Sequence, residues 1–257
     1  MNKYLPLQDQ TIFINHTVKQ VAHHLSRLPY TRSIILIGSY ARGDPKEYSD
    51  IDLVLISDIS LSRSELLATL PPRQNMKKLS LLPYPSGIFA ILYMEGSLFM
   101  AHLLKEGRVL YDDGYIAHLT KRPFKISRES LLLQWKMLKQ RVGLYDDLSI
   151  YGEVFIDCIS HLYSLIKNIA IIALALKGEL TFNKERALER FSLLFPQLRG
   201  DIAELIKLKP FSLIWSKGAS ISKPFSPINC RKQTEIYLRK LRKIISVVEH
   251  HELKPKN

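Results

Sequence analysis

The sequence predicts an α/β domain over residues 1–120 followed by an α-helical bundle over residues 121–257. Three observations carry this reading. Two apolar runs, Ile34-Ile35-Leu36-Ile37 and Ile51 to Ile56, have the composition of buried strands. The interval between them opens with Gly38-Ser39 and closes with Asp50-x-Asp52, a turn and an acidic strand entry rather than a continuous helix. Past the basic stretch Lys121-Arg122-Pro123-Phe124-Lys125 the pattern changes to long segments of helical spacing.

Taken in order, residues from about Gln8 to Leu28 carry Ile12, Phe13, Val18, Val21, Ala22 and Leu25 at helical spacing, and Pro29 ends that helix. His23 and His24 read as surface or helix-end residues. The first strand and Gly38-Ser39 follow, and Gly43-Asp44-Pro45 breaks the short helix after them. Ser62-x-x-Glu65 has the form of a capping box, and Pro71-Pro72 closes its helix. Lys77 to Tyr84 is a third strand whose prolines place its far end at an edge. Ser86 caps a helix to about Glu95, Gly96 interrupts, and a further helix runs from Ser97 to Glu106. In the second half the expected helices are Arg128 to Asp146, Ile150 to Lys177, one capped by Asn183, Gln197 to Leu208, and Arg231 to Glu252. Lys209 to Asn229, with Pro210, Gly218, Pro224 and Pro227, reads as a loop. His102 and His161 lie on apolar helices and read as buried structural residues.

Composition narrows the function classes. Of 257 residues 46% are hydrophobic, enough for a sizeable core, and 37 Lys plus Arg against 24 Asp plus Glu give a net charge of +13. Such an excess favours polyanions: nucleic acid, a nucleoside triphosphate or an acidic surface. Two distant cysteines, Cys158 and Cys230, argue against a disulfide scaffold or zinc site and fit a reducing cytoplasm. The N-terminus shows no signal-peptide core, and the most apolar run, Ile169 to Leu176, is too short to span a bilayer. No membrane association is expected.

The chemistry gathers at Gly38-Ser39 and Asp50-x-Asp52. Glycine permits a sharp turn at the strand exit, and the backbone N–H groups there can face an anion. Side chains alternate along a strand, so Asp50 and Asp52 project to one side. Two like charges side by side favour a cation between them, and a hard divalent ion with oxygen ligands suits the pair.

This stretch resembles the signature of the nucleotidyltransferase superfamily typified by DNA polymerase beta, in particular the small bacterial branch with the minimal nucleotidyltransferases and kanamycin nucleotidyltransferase. A second match, helix then Glu106-Gly107, a short strand ending in Leu110-Tyr111 and the acid Asp112, extends it over about the first 120 residues. The resemblance implies a nucleotidyltransferase-fold mixed sheet with flanking helices. It implies that Gly38 and Ser39 hold a triphosphate and that Asp50 and Asp52 bind Mg²⁺, with two ions. Arg42 and Lys46 would add positive charge near the leaving group. Transfer of a nucleoside monophosphate to an acceptor hydroxyl follows, in a cleft expected between the two domains. RNA or tRNA is the favoured acceptor from the charge, with a partner protein or an aminoglycoside open.

The family usually places a third carboxylate on the third strand, and Lys77 to Tyr84 contains none. Glu153, or Asp157 one turn on, is the candidate acid to activate the acceptor, by analogy with kanamycin nucleotidyltransferase-like enzymes; Glu95 lies at a helix end. The alternative is a catalytically degenerate nucleotide-binding or regulatory module, antitoxin-like in character. The second half also resembles HEPN domains, without the Arg and His pair of their nucleases. The bases Arg231, Lys232, Arg239, Lys240, Arg242 and Lys243, and the mixed basic and aromatic segment Lys209 to Lys217, are the stretches suited to RNA.

Overall fold

The computed structural model describes residues 16–46, 49–71, 79–151, 155–217 and 227–252. It divides into two compact units, Met1–Ser130 and Leu131–Asn257. The boundary expected at 120/121 falls inside the first unit.

The first unit contains a four-stranded mixed sheet of order β3-β2-β1-β4. Its elements are α1 (His16–Ser26), β1 (Thr31–Ile37), α2 (Gly38–Arg42), β2 (Ile51–Ser57), α3 (Arg63–Thr69), β3 (Leu79–Pro85), α4 (Ser86–Met94), α5 (Leu98–Glu106), β4 (Arg108–Asp112) and α6 (Tyr115–Leu119). β1 pairs antiparallel with both β2 and β4, while β2 and β3 run parallel. Alternation sorts the side chains into two faces. Ile34, Leu36, Leu53, Leu55, Leu79 and Leu81 form one face, packed against Val18, Val21, Ala22 and Leu25 of α1 and Leu66 of α3. The opposite face carries Asp52 of β2 and Ser80 of β3, which are register partners, and Ile37 of β1 beside Asp52. There Tyr84 stacks on Phe99 at 5.1 Å and meets Phe89 edge-on.

Local chemistry sets the helix ends. The Ser62–Glu65 capping box forms: the Ser62 side chain accepts from Glu65 N–H, and Glu65 accepts from Ser62 N–H. Ser97 caps α5 by accepting from Met100 N–H. Ser86 does not cap α4; Pro85 holds that position, and the Ser86 hydroxyl donates to Asp58 instead. The short helix α6 was not expected from the sequence; the carboxylate of Asp112 accepts from Ile116 N–H and Ala117 N–H at its start.

The second unit is helical, with α7 (Arg128–Gly143) beginning at the unit boundary, then α8 (Phe155–Leu176), α9 (Lys184–Leu194), α10 (Arg199–Ile206), α11 (Lys209–Lys217) and α12 (Pro227–Glu252). α8 is long and apolar enough to cross a membrane by length and composition, yet two thirds of it is buried within the protein (67%), as for a core helix. A 3₁₀ turn at Leu148–Tyr151 precedes it, so the expected helix from Ile150 starts later. The expected loop from Lys209 begins instead with α11. Pro210 sits in its first turn, where a missing N–H costs nothing. Polar ties fasten the bundle. Trp135 Nε1 and Lys139 Nζ donate to Glu249 at 3.2 and 2.6 Å, joining α7 to α12. Asp201 receives Lys240 and Lys243 at 3.1 and 2.7 Å, joining α10 to α12. His161 is exposed rather than buried; its Nδ1 shares a hydrogen bond with the Tyr145 hydroxyl at 2.8 Å.

Gly96 connects α4 to α5 with φ of +62°, and a Cβ there would lie 2.2 Å from the Lys125 carbonyl oxygen and 2.6 Å from Ser127 N. Ser127 N–H donates to the Gly96 carbonyl at 2.9 Å, so this contact pins the segment leading to α7. Gly96→Ala is expected to destabilise the protein by about 2–3 kcal/mol from combined strain and clash, read as a lower urea midpoint.

Candidate active site

The site is assembled where β1 stops and β2 starts. Ile37 is extended, and Gly38 then takes φ of +76°, turning the chain into α2. Gly43, at φ 81°, closes that short helix, with its N–H on the Ser39 carbonyl. Asp52 pairs with Ile37 across the antiparallel ladder, which sets its side chain beside the strand exit. A Cβ built on Gly38 would lie 2.8 Å from Asp52 Oδ2. The carboxylate therefore occupies the space that any larger residue at position 38 would fill. Asp50 is two residues earlier, just before β2 begins at Ile51; both acids are half-buried, and Ile51 is buried.

The loop back from α2 is closed by reciprocal bonds: Lys46 N–H donates to the Ser49 hydroxyl, and Ser49 N–H to the Lys46 carbonyl, each at 2.8 Å. This holds Lys46, whose side chain is exposed, against Ser49, the residue before Asp50. Ser39 is half-buried in the first turn of α2. Arg42 is engaged within the protein, with Nη1 at 2.9 Å from Glu106 Oε2 and Nη2 at 3.2 Å from Asp44. Burial pushes the Glu106 carboxyl up, but hydrogen bonds from His102 and Arg42 outweigh it and hold the group below the usual carboxylate range. His102, expected as a buried structural residue, lies half-buried with Nε2 3.4 Å from that carboxylate. Glu106, His102 and Arg108 were not singled out as site neighbours. The Glu106-Gly107 motif was the available signal, and only the tertiary packing of α5 on α2 gives it meaning.

Ser80 is the residue that stands beside Asp52 from β3, and the described part of that strand carries no acid. Glu153 lies outside the described residues. Asp157 is on α8, 3.5 Å from His161, and Glu95 is exposed at the end of α4. Among the described residues no group of three or more His, Cys, Asp or Glu could hold a metal ion. The two carboxylates nevertheless fit a hard divalent cation whose remaining ligands come from water and substrate phosphates.

The match to known proteins agrees with this geometry. A model of the nucleotidyltransferase domain matches residues 18–137. A candidate protein adenylyltransferase of Methanocaldococcus jannaschii is 40% identical over 87 residues, spanning 31% of this chain and 78% of that protein. The chain belongs to the nucleotidyltransferase family. Several solved structures also match. Spectinomycin adenyltransferase AAD(9) from Enterococcus faecialis, with ATP and spectinomycin, is 13% identical, covering 88% of this chain and 97% of that one at a TM-score of 0.48. A toxin-antitoxin structure with AMP-PNP is 15% identical, covering 52% and 99% at a TM-score of 0.30. At these scores neither bears on the function of this nucleotidyltransferase.

The helical unit of this nucleotidyltransferase holds a cationic cluster that the sequence did not reveal. Lys167 of α8 lies half-buried over the Tyr163 ring, Nζ 4.4 Å from its centroid. Burial pushes its ammonium down to about 8, and Lys184 of α9 and Lys209 of α11 push the same way. Glu185 pairs with Lys209. Cys158, also on α8, is buried, and burial with Asp157 raises its thiol to about 12, which removes it from thiolate chemistry.

Two outcomes follow. Gly38→Ala is expected to displace the Asp52 carboxylate and cost about 1–3 kcal/mol of stability, checked by chemical denaturation. For Lys167, the folded pKa of about 8 lies below the ordinary 10.5, so the unfolded chain binds the extra proton between these values. That contribution to stability rises with pH across the window and is at its most unfavourable below it. Lys167→Met is expected to stabilise the protein by on the order of 1–2 kcal/mol at pH 7 and to remove this rise, read from urea midpoints of both proteins at pH 7 and pH 10.

Proposed function

We propose that this nucleotidyltransferase moves adenylate from ATP, in the presence of Mg²⁺, to a hydroxyl on a partner protein. The observation that carries the chemistry is the Asp52 carboxylate lodged against Gly38 at the start of β2, with Asp50 two residues earlier in the chain. The candidate protein adenylyltransferase activity of the 40%-identical relative supports the acceptor class.

In this reading the backbone N–H groups at Gly38 and Ser39 hold the terminal phosphates, and Lys46 adds positive charge from the loop that ends at Asp50. Asp50 and Asp52 offer the oxygen ligands for the cation. When bound, the cation would neutralise charge developing on the transferring and departing phosphates. The acceptor hydroxyl attacks the α-phosphorus in line, the bond to the bridging oxygen breaks, and pyrophosphate leaves. Ser80, lacking a carboxylate, cannot take the acceptor's proton as a base near neutral pH. ATP use and the free, buried Cys158 thiol suit a cytoplasmic setting.

An RNA acceptor is the second reading, favoured by the net charge of +13 and the Lys167, Lys184 and Lys209 cluster. The last helix supports it less than its composition suggests. Arg231, Lys240, Arg242 and Lys243 all pair with acids of the chain itself.

The test uses ATP labelled at the α-phosphate, Mg²⁺, and either total protein or total RNA as acceptor. Label is expected on protein, and Asp50→Asn or Asp52→Asn is expected to lower transfer by at least about 10²-fold. Label on RNA alone would select the second reading. Bound ATP without transfer to either would mark a nucleotide-binding module.

A further inference from the structure

The helix α2 has five residues, too few to be stable alone. Something outside it must hold the turn that keeps Gly38 against Asp52. The turn from α5 to β4 does this twice. Before Gly107, Glu106 takes the Arg42 guanidinium; after it, Arg108 Nε donates to the Ala41 carbonyl. Gly107 lets the two come this close: a Cβ there would lie 2.4 Å from the Leu103 carbonyl oxygen and 3.0 Å from Ile35.

Glu106 is also a poor choice for its own helix. It is the last residue of α5, where the helix dipole disfavours an acid. Its side chain is only 12% exposed, so it has lost most of its water as well. Its compensation comes from Arg42, on the element that opens with Gly38, and from His102 on its own helix. An acid kept at a position that its local surroundings oppose points to a role in what it holds.

We propose that Glu106 is a positioning residue for nucleotidyl transfer: through Arg42 it fixes the α2 turn, and with it Gly38, against Asp52. Arg42 thus serves the nucleotide site by holding the turn and does not contact phosphate. The proposal rests on the nucleotidyltransferase reading of the Gly38–Asp52 site.

A double-mutant cycle in the full-length protein separates positioning from contact. The probe is an N-methylanthraniloyl ATP with Mg²⁺, and the readouts are its Kd, the kcat and KM of transfer, and the thermal midpoint. Arg42→Ala and Glu106→Ala are each expected to weaken probe binding by about tenfold, and the double variant no further than the worse single. Glu106→Gln, which keeps an acceptor for Arg42, is expected to recover most of the affinity. If Glu106→Ala fails to fold, Glu106→Gln and Arg42→Lys carry the cycle. Additive losses would show that Arg42 meets the nucleotide directly and overturn the proposal. Lower thermal midpoints with unchanged Kd would reduce the pair to a structural tie and overturn it too. A wild-type chain that binds no nucleotide overturns the underlying functional reading; bound nucleotide with additive losses overturns only this proposal.

Discussion

Everything in the first unit that bears on chemistry depends on one close approach, a carboxylate resting where a side chain at residue 38 would be. The antiparallel register of Ile37 with Asp52 creates it, and the positive φ of Gly38 preserves it. The sheet is what makes the register dependable. Slipping β2 by one residue would send Asp52 into the face lined by Val18, Leu25 and Leu66, and bring Leu53 out. The buried apolar face therefore sets the position of the acidic one, and core packing and site geometry are a single constraint.

The helical unit follows a different logic. Its apolar centre, α8, is buried along most of its length, and its polar ties are between side chains of well-separated sequence position. Asp201 shows how these ties work: hydrogen bonds from Lys243 and Lys240 hold its carboxyl below the usual range against the effect of burial. Lys167 shows the opposite balance, a cation half-buried among other cations. Most of the basic residues on α12 are spent on such internal ties, which is why net charge alone is a weak guide to partners here.

The parts legible in the sequence were those encoded by neighbouring residues. Gly38, Ser39, Asp50 and Asp52 could be placed because a strand exit and a strand entry leave local marks, and the Ser62–Glu65 and Asn183 caps because their side chains bond a turn away. What escaped was set by residues far apart. Arg42 reads as positive charge near the leaving group, and its bond to Glu106, 64 residues on, is visible only in the fold. The prolines suggested a loop from Lys209, but one at the first turn of a helix is harmless, and α11 forms. His161 seemed destined for the core from the apolar helix around it, yet it lies on the outward side, bonded to Tyr145. That Ser80 is the neighbour of Asp52 needed the parallel register of β2 and β3, which no local pattern records.

β3 forms the margin of the sheet and includes Pro83 and Pro85. Each proline removes one amide from a strand that, among the described residues, has a neighbour on one side only. A further strand laid along that margin would find its ladder broken, so the sheet resists open-ended growth from copy to copy. Recognition of another macromolecule by this unit is thus steered towards side chains and loops, and away from strand addition.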